Sequence, residues 1–139
     1  MESMKKARYY STAYYENGSS YAIVIGGRID NDSVSSSCEL LDIADQKWHS
    51  FPDLIEGRSS PSTMKVNDFL YVFAGFILNR TAAKIIERIN MKSESPNFEP
   101  IIIENSQVIT GVDFLMFEVK NQILITGNHN TFIYRFNVE

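Results

Sequence analysis

A single cysteine, Cys38, stands among the 139 residues, so no disulfide can form within the chain. That usage fits a reducing compartment. Cys38 lies in an apolar run, which points to a buried structural thiol rather than a nucleophile. Histidine is almost as scarce: His49 and His129 are the only two. Neither has a second ligand at recognisable spacing, so no metal site and no cofactor are expected. No stretch approaches the ~18 apolar residues needed to cross a bilayer. The N-terminal Met1-Glu2-Ser3-Met4-Lys5-Lys6 also has no apolar run behind its charges, as a secretory signal would. A cytoplasmic chain without a membrane partner is the expectation. Positive charge is outweighed, with 13 Lys and Arg against 17 Asp and Glu and a formal charge of -4. Lys5, Lys6 and Arg8 form the only basic cluster and read as a solvated terminus. A dominant nucleic-acid surface, which needs a clustered basic face, is excluded on this pattern.

What is present is a set of short apolar runs rich in β-branched and aromatic residues, punctuated by Gly, Asn, Asp and Ser. That is how strands and hairpins read. Apolar residues make up 44% of the chain and charged residues 22%, enough to build an ordinary packed core. The segment Thr81–Arg88 alone has helical character, and its second half is expected as a strand.

Two blocks recur along the chain. Tyr21-Ala22-Ile23-Val24-Ile25-Gly26-Gly27 returns as Leu70-Tyr71-Val72-Phe73-Ala74-Gly75 and as Gln122-Ile123-Leu124-Ile125-Thr126-Gly127. Cys38-Glu39-Leu40-Leu41-Asp42 returns as Ile86-Glu87-Arg88-Ile89-Asn90 and as Ile133-Tyr134-Arg135-Phe136-Asn137. The glycines Gly27, Gly75 and Gly127 are 48 and 52 residues apart, and Leu41, Ile89 and Phe136 are 48 and 47 apart. A period near fifty built from short strands signals propeller blades. Asn17-Gly18, Asn67-Asp68 and Asn121 precede the glycine strands as hairpin turns. The expected strands are Tyr9–Glu16, Tyr21–Gly26, Ser37–Ile43 and Gln46–Phe51 in the first unit. The second has Ser62–Val66, Phe69–Ala74, Lys84–Asn90 and Phe98–Ile103; the third has Gly111–Lys120, Gln122–Thr126 and Thr131–Val138.

These residues resemble the kelch repeat. The first unit carries the likeness best, with Gly26-Gly27, Glu39-Leu40-Leu41-Asp42, Trp48, Phe51-Pro52 and Arg58. The second has Ala74-Gly75 for the glycine pair and Phe98 for the tryptophan; the third keeps Gly127 and Tyr134-Arg135-Phe136-Asn137. The resemblance implies an all-β fold, a partial kelch-type β-propeller of about three four-stranded antiparallel blades, over residues 7–53, 58–104 and 107–139. The last blade would lack its outer strand, as expected of the C-terminal part of a ring of about six. Gly26, Gly27, Gly75, Gly127, Trp48 and Pro52 are structural in this scheme. Gly27 ends a strand where a Cβ would crowd the backbone, Trp48 fills space between sheets, and Pro52 follows a strand end.

The function that the resemblance implies is non-catalytic capture of another protein by loops at one end of the blades. Candidate contacts are Arg28, Asp30, Asn31 and Asp32 in the first long loop, Asn79 and Arg80 in the second, and Asn128 and His129 in the third. Arg58 and Ser60 lie on the connection between the first two units, Arg58 with a structural role as its alternative. Arg28 is placed like arginines that hold acidic peptides in some kelch adaptors, since a guanidinium donates two parallel hydrogen bonds to a carboxylate. Its plainer alternative is a solvated loop arginine paired with Asp30 or Asp32. An enzyme is disfavoured, because Glu39 and Glu87 are repeat positions before they are a catalytic pair. A further possibility is self-assembly, in which open blades pair with the missing part of a ring or with a second copy.

Overall fold

The computed structural model describes residues 2–83 and 85–101, together with three later strands, Leu115–Val119, Gln122–Thr126 and Tyr134–Asn137. Among the described residues, every regular element of length is a strand. In chain order these are β1 (Thr12–Tyr15), β2 (Tyr21–Ile25), β3 (Cys38–Asp42), β4 (Lys47–Phe51), β5 (Ser62–Val66), β6 (Phe69–Phe73), β7 (Ile86–Asn90), β8 (Phe98–Ile101), β9 (Leu115–Val119), β10 (Gln122–Thr126) and β11 (Tyr134–Asn137). A short turn of 3-10 helix covers Leu78–Arg80. No helix among the described residues is long and apolar enough to cross a membrane.

The strands form two four-stranded antiparallel meanders, β1-β2-β3-β4 and β5-β6-β7-β8, and a three-stranded sheet ordered β11-β10-β9. Their registers repeat. Leu41 stands opposite Ala22 and Trp48 in the first sheet, as Ile89 stands opposite Leu70 and Phe98 in the second. The expected strand beginning at Tyr9 starts instead at Thr12, because Tyr10 takes φ 52 and breaks the extended run. Thr81–Ala83 and Ile85 are not helical, and β7 begins at Ile86. Lys84, Ile102 and Ile103, and the outer ends of the expected third-unit strands, lie outside the described residues. Pro100 sits on β8, which among the described strands is the edge of its sheet and pairs with β7, so its missing N–H disturbs no inner ladder.

The alternation of side chains along each strand builds the core. One face of the first sheet contributes Tyr14, Ile23, Ile25 and Cys38; the second sheet contributes Leu70, Val72, Ile89 and Phe98. Leu54, on the connection between the sheets, completes the buried cluster. Phe51 and Phe98 meet edge to face at 6.4 Å between ring centroids, an arrangement that suits the ring quadrupoles. Trp48 is not in this interface. It lies half-buried on the opposite face of the first sheet, its indole N–H donating to the Glu2 carbonyl at 3.0 Å. Cys38 is buried, and burial pushes its thiol up to about 12.

Two buried ion pairs mark the repeat at atomic scale. Arg58 Nη2 meets Glu87 Oε1 at 2.6 Å with both side chains fully enclosed. Its Nη1 donates to the carbonyls of Ala74 and Ile85 at 3.2 and 2.9 Å. Arg8 does the same one unit earlier: Nη2 meets Glu39 Oε1 at 2.6 Å, and Nη1 donates to Gly26 and Ser37 carbonyls at 3.0 and 2.6 Å. Each glutamate also accepts two successive backbone N–H groups of the incoming segment. Lys5 and Lys6 serve Glu39 at 2.7 and 3.3 Å; Ile55 and Glu56 serve Glu87 at 2.6 and 3.2 Å. Arg8 therefore does not belong to a solvated terminus, as charge clustering suggests. Its guanidinium is fully buried and hydrogen-bonded.

Candidate functional site

The glycine pair shapes one end of the two sheets. Gly26 and Gly27 adopt φ of 62 and 105, and a Cβ on Gly26 would lie 2.5 Å from the Arg58 carbonyl oxygen. Gly75 is held in the same way, with a Cβ meeting the Ser59 carbonyl oxygen at 2.5 Å. Only glycine permits both the left-handed turn and this close approach. Just beyond the turn, Arg28 bridges back to Tyr9 and on to Val34; in the second unit Phe76 bridges to Ser59 and Ala82. Arg28 and Phe76 thus occupy one repeat position, as do Tyr9 and Ser59.

Between these two loop systems lies an open cleft of about 960 Å³. The β2–β3 loop supplies Arg28, Asn31 and Asp32, and the β6–β7 loop supplies Phe76, Leu78, Asn79 and Arg80. Tyr9, Tyr10, Ser59 and Ser60 line it from the segments leading into β1 and β5. The Ser60 N–H donates to the Tyr10 carbonyl at 2.7 Å, tying the two segments together. Tyr9 and Tyr10 pack edge to face at 5.2 Å, and Tyr10 remains 65% exposed. Tyr9 also donates from its hydroxyl to Asn31 Oδ1 at 3.2 Å.

The two cleft arginines differ. Arg28 donates from Nε to the Asp30 carbonyl at 3.3 Å and from Nη2 to the Asn31 carbonyl. It therefore braces its own loop through backbone oxygens, and neither the Asp30 nor the Asp32 carboxylate takes a salt bridge from it. Asp30 instead accepts the Asp32 N–H at 2.8 Å. That hydrogen bond, with others from Ser33, holds the Asp30 carboxyl below its ordinary range. Arg80 is exposed on a turn in which both it and Asn79 have φ 58, and among the described residues no hydrogen bond or ion pair engages its guanidinium. Backbone strain of this kind is held in place by surrounding structure and clusters at functional loops.

The cleft collects Arg28, Asn31, Asp32, Ser60, Asn79 and Arg80 from the sequence-derived candidates. Asp30 is exposed in the same loop without lining the cleft. Arg58 is a correction: its side chain is wholly enclosed by the second sheet and its connection, so it offers nothing to a partner. Gly127, Asn128 and His129 lie outside the described residues. Sequence reasoning misses Tyr9 and Tyr10, which it assigns to a strand. Their separation of fifty residues from Ser59 and Ser60 is the available signal.

No family model matches the chain. In part it is similar to proteins whose names carry the word kelch. It is 36% identical over 62 residues to kelch-like protein 41a of Danio rerio, a match spanning 45% of this chain and 10% of that protein. It is 29% identical over 107 residues to a protein of Arabidopsis thaliana described as F-box/kelch-repeat, spanning 76% of this chain and 28% of that one. The chain thus covers only a small share of either relative. The likeness hints at kelch repeats, and the all-β, repeating strand pattern is consistent with it.

Proposed function

We propose that the chain is a portion of a kelch-type β-propeller, with units over 7–53, 58–104 and 107–139, and that it serves as a protein-binding scaffold rather than a catalyst. The cleft between the β2–β3 and β6–β7 loops is the proposed contact surface. The observation that carries this reading is the pairing of an unengaged Arg80 guanidinium with an exposed tyrosine shelf across one cleft. Guanidinium and aromatic groups together dominate the energetics of protein recognition sites. A partner segment bearing carboxylates beside an aromatic or aliphatic residue satisfies both: bidentate hydrogen bonds to Arg80 and apolar contact with Tyr10 and Leu78.

The test is fluorescence anisotropy with two labelled probe peptides, Glu-Glu-Asp-Tyr-Leu-Glu and its amide counterpart Gln-Gln-Asn-Tyr-Leu-Gln. The acidic peptide is expected to bind about tenfold more tightly, since a hydrogen bond to a charged group contributes roughly 1.5–3 kcal/mol. Binding should weaken with added salt, because the groups lie near the surface. Arg80→Glu should abolish the preference while leaving the melting midpoint unchanged. Equal binding of the two peptides, or an Arg80→Glu variant that keeps the preference, would rule the cleft out as an acidic-segment site.

A further inference from the structure

The two loops that wall the cleft are copies of one another that differ in charge at one place. Arg28 bridges to Val34 in the first loop and Phe76 bridges to Ala82 in the second, so both bridges repeat at an offset of 48 residues. The same offset carries Asn31 onto Asn79 and Asp32 onto Arg80. At one repeat position, therefore, the first wall presents a carboxylate and the second a guanidinium, and both line the cleft.

Neither charge is satisfied within the chain. Asp32 is exposed, and its backbone N–H donates to Asp30 Oδ1 at 2.8 Å. Among the described residues its carboxylate has no hydrogen bond and no ion pair, and the same holds for the Arg80 guanidinium, so the two do not meet across the cleft. The other charged groups of the first loop are turned elsewhere: Arg28 is bound to the Asp30 and Asn31 carbonyls, and Asp30 does not line the cleft. The Tyr9 hydroxyl donates to Asn31 Oδ1 at 3.2 Å, beside Asp32, so the shelf of Tyr9 and Tyr10 adjoins the acidic wall. Aromatic rings beside a free carboxylate are surroundings that favour an ammonium or guanidinium group.

We infer that the cleft takes a segment of mixed charge, with a carboxylate at the Arg80 wall and a Lys or Arg side chain at the Asp32 wall beside the tyrosines. This inference rests on the acidic-segment reading above and narrows it. A purely acidic partner brings like charge toward Asp32, whereas a bipolar one pairs both walls. Complementarity of that kind fixes the register of the bound segment and suppresses wrong partners.

The experiment is fluorescence anisotropy with three labelled peptides: Lys-Ser-Tyr-Leu-Glu-Glu, Gln-Ser-Tyr-Leu-Glu-Glu and Gln-Ser-Tyr-Leu-Gln-Gln. The first should bind about fivefold more tightly than the second, the gain expected of one exposed ion pair with an aromatic contact. Asp32→Asn should cancel that gain and keep the preference for the second peptide over the third. Asp32→Lys should invert it, so that the lysine peptide becomes the weaker binder. Both variants should keep the melting midpoint, because the Asp32 side chain holds nothing in the fold. Glu94→Gln removes the same net charge at an exposed site that does not line the cleft, and should leave the gain intact. Equal binding of the first two peptides would overturn the inference, as would a gain that survives Asp32→Asn or falls equally with Glu94→Gln. A preference for the second peptide over the third without any gain from lysine refutes the mixed-charge inference alone. Equal binding of the second and third refutes the acidic-segment reading beneath it as well.

Discussion

Arg58 brings a permanent charge into a site with no solvent exposure, and the fold answers it atom by atom. Burial pulls its guanidinium below the ordinary arginine value, opposed by Glu87 and Glu56. A buried pair of this kind contributes little net stability compared with apolar packing, yet removing one member leaves the other uncompensated. Arg58→Ala is therefore expected to cost about 3–5 kcal/mol, read as a fall in the urea midpoint at unchanged slope. Loss of less than about 1 kcal/mol would mean that the Ile55 and Glu56 backbone amides satisfy Glu87 by themselves. The residue scale is also where sequence reading reaches its limit. A lone arginine after a Pro-containing turn looks the same whether its side chain faces a loop or a glutamate 29 residues away. Only the register of β7 decides that Glu87 points inward. Arg8 escapes for the same reason, since its neighbours Lys5 and Lys6 give it the look of a charged tail.

At the scale of elements, the strands are legible because alternation and the Gly-ending motif are local signals. β2, β6 and β10 and their partners β3, β7 and β11 fall within the expected runs. The ends are less legible: β1 starts three residues late because of the left-handed Tyr10, a conformation that no propensity favours. The connecting segments carry their own chemistry. Burial alone would raise the Glu39 carboxyl, but the Lys5 amide, Arg8 and the Lys6 amide outweigh it and hold the group below its ordinary value of 4.5. A carboxyl depressed in the folded state stabilises that state fully above the unfolded value, and the stabilisation is lost as pH falls through the folded value. The clamp on residues 2–8 should therefore loosen below about pH 4.5. Amide exchange at Lys5 and Lys6, corrected for intrinsic rates, should then rise before that of the β2 and β3 amides. Simultaneous loss of protection in all of them would show that the clamp has no separate stability. Glu39→Gln should remove the pH dependence of this opening.

At the scale of the whole molecule, the first two units execute one structural plan at an interval of 48 to 50 residues: four antiparallel strands, a glycine turn, a buried Arg–Glu clamp and an incoming segment that caps the sheet. The first two sheets pack through the faces carrying Ile23 and Ile25 on one side and Leu70 and Val72 on the other. The cleft exists only because that packing sets two loop systems side by side. Periodicity in the sequence announces the plan, but the cleft cannot be read from it, since it depends on how two separate units meet. The most direct test is a set of nuclear Overhauser contacts on methyl-labelled protein. Cross-strand contacts should join Ala22 to Leu41 and Leu70 to Ile89. Inter-sheet methyl contacts should run from Ile23, Ile25 and Leu54 to Leu70, Val72 and Ile89. Helical backbone contacts anywhere between Ser37 and Asn90 beyond the short turn at Leu78–Arg80, or Leu41 and Ile89 found in unrelated surroundings, would contradict this plan.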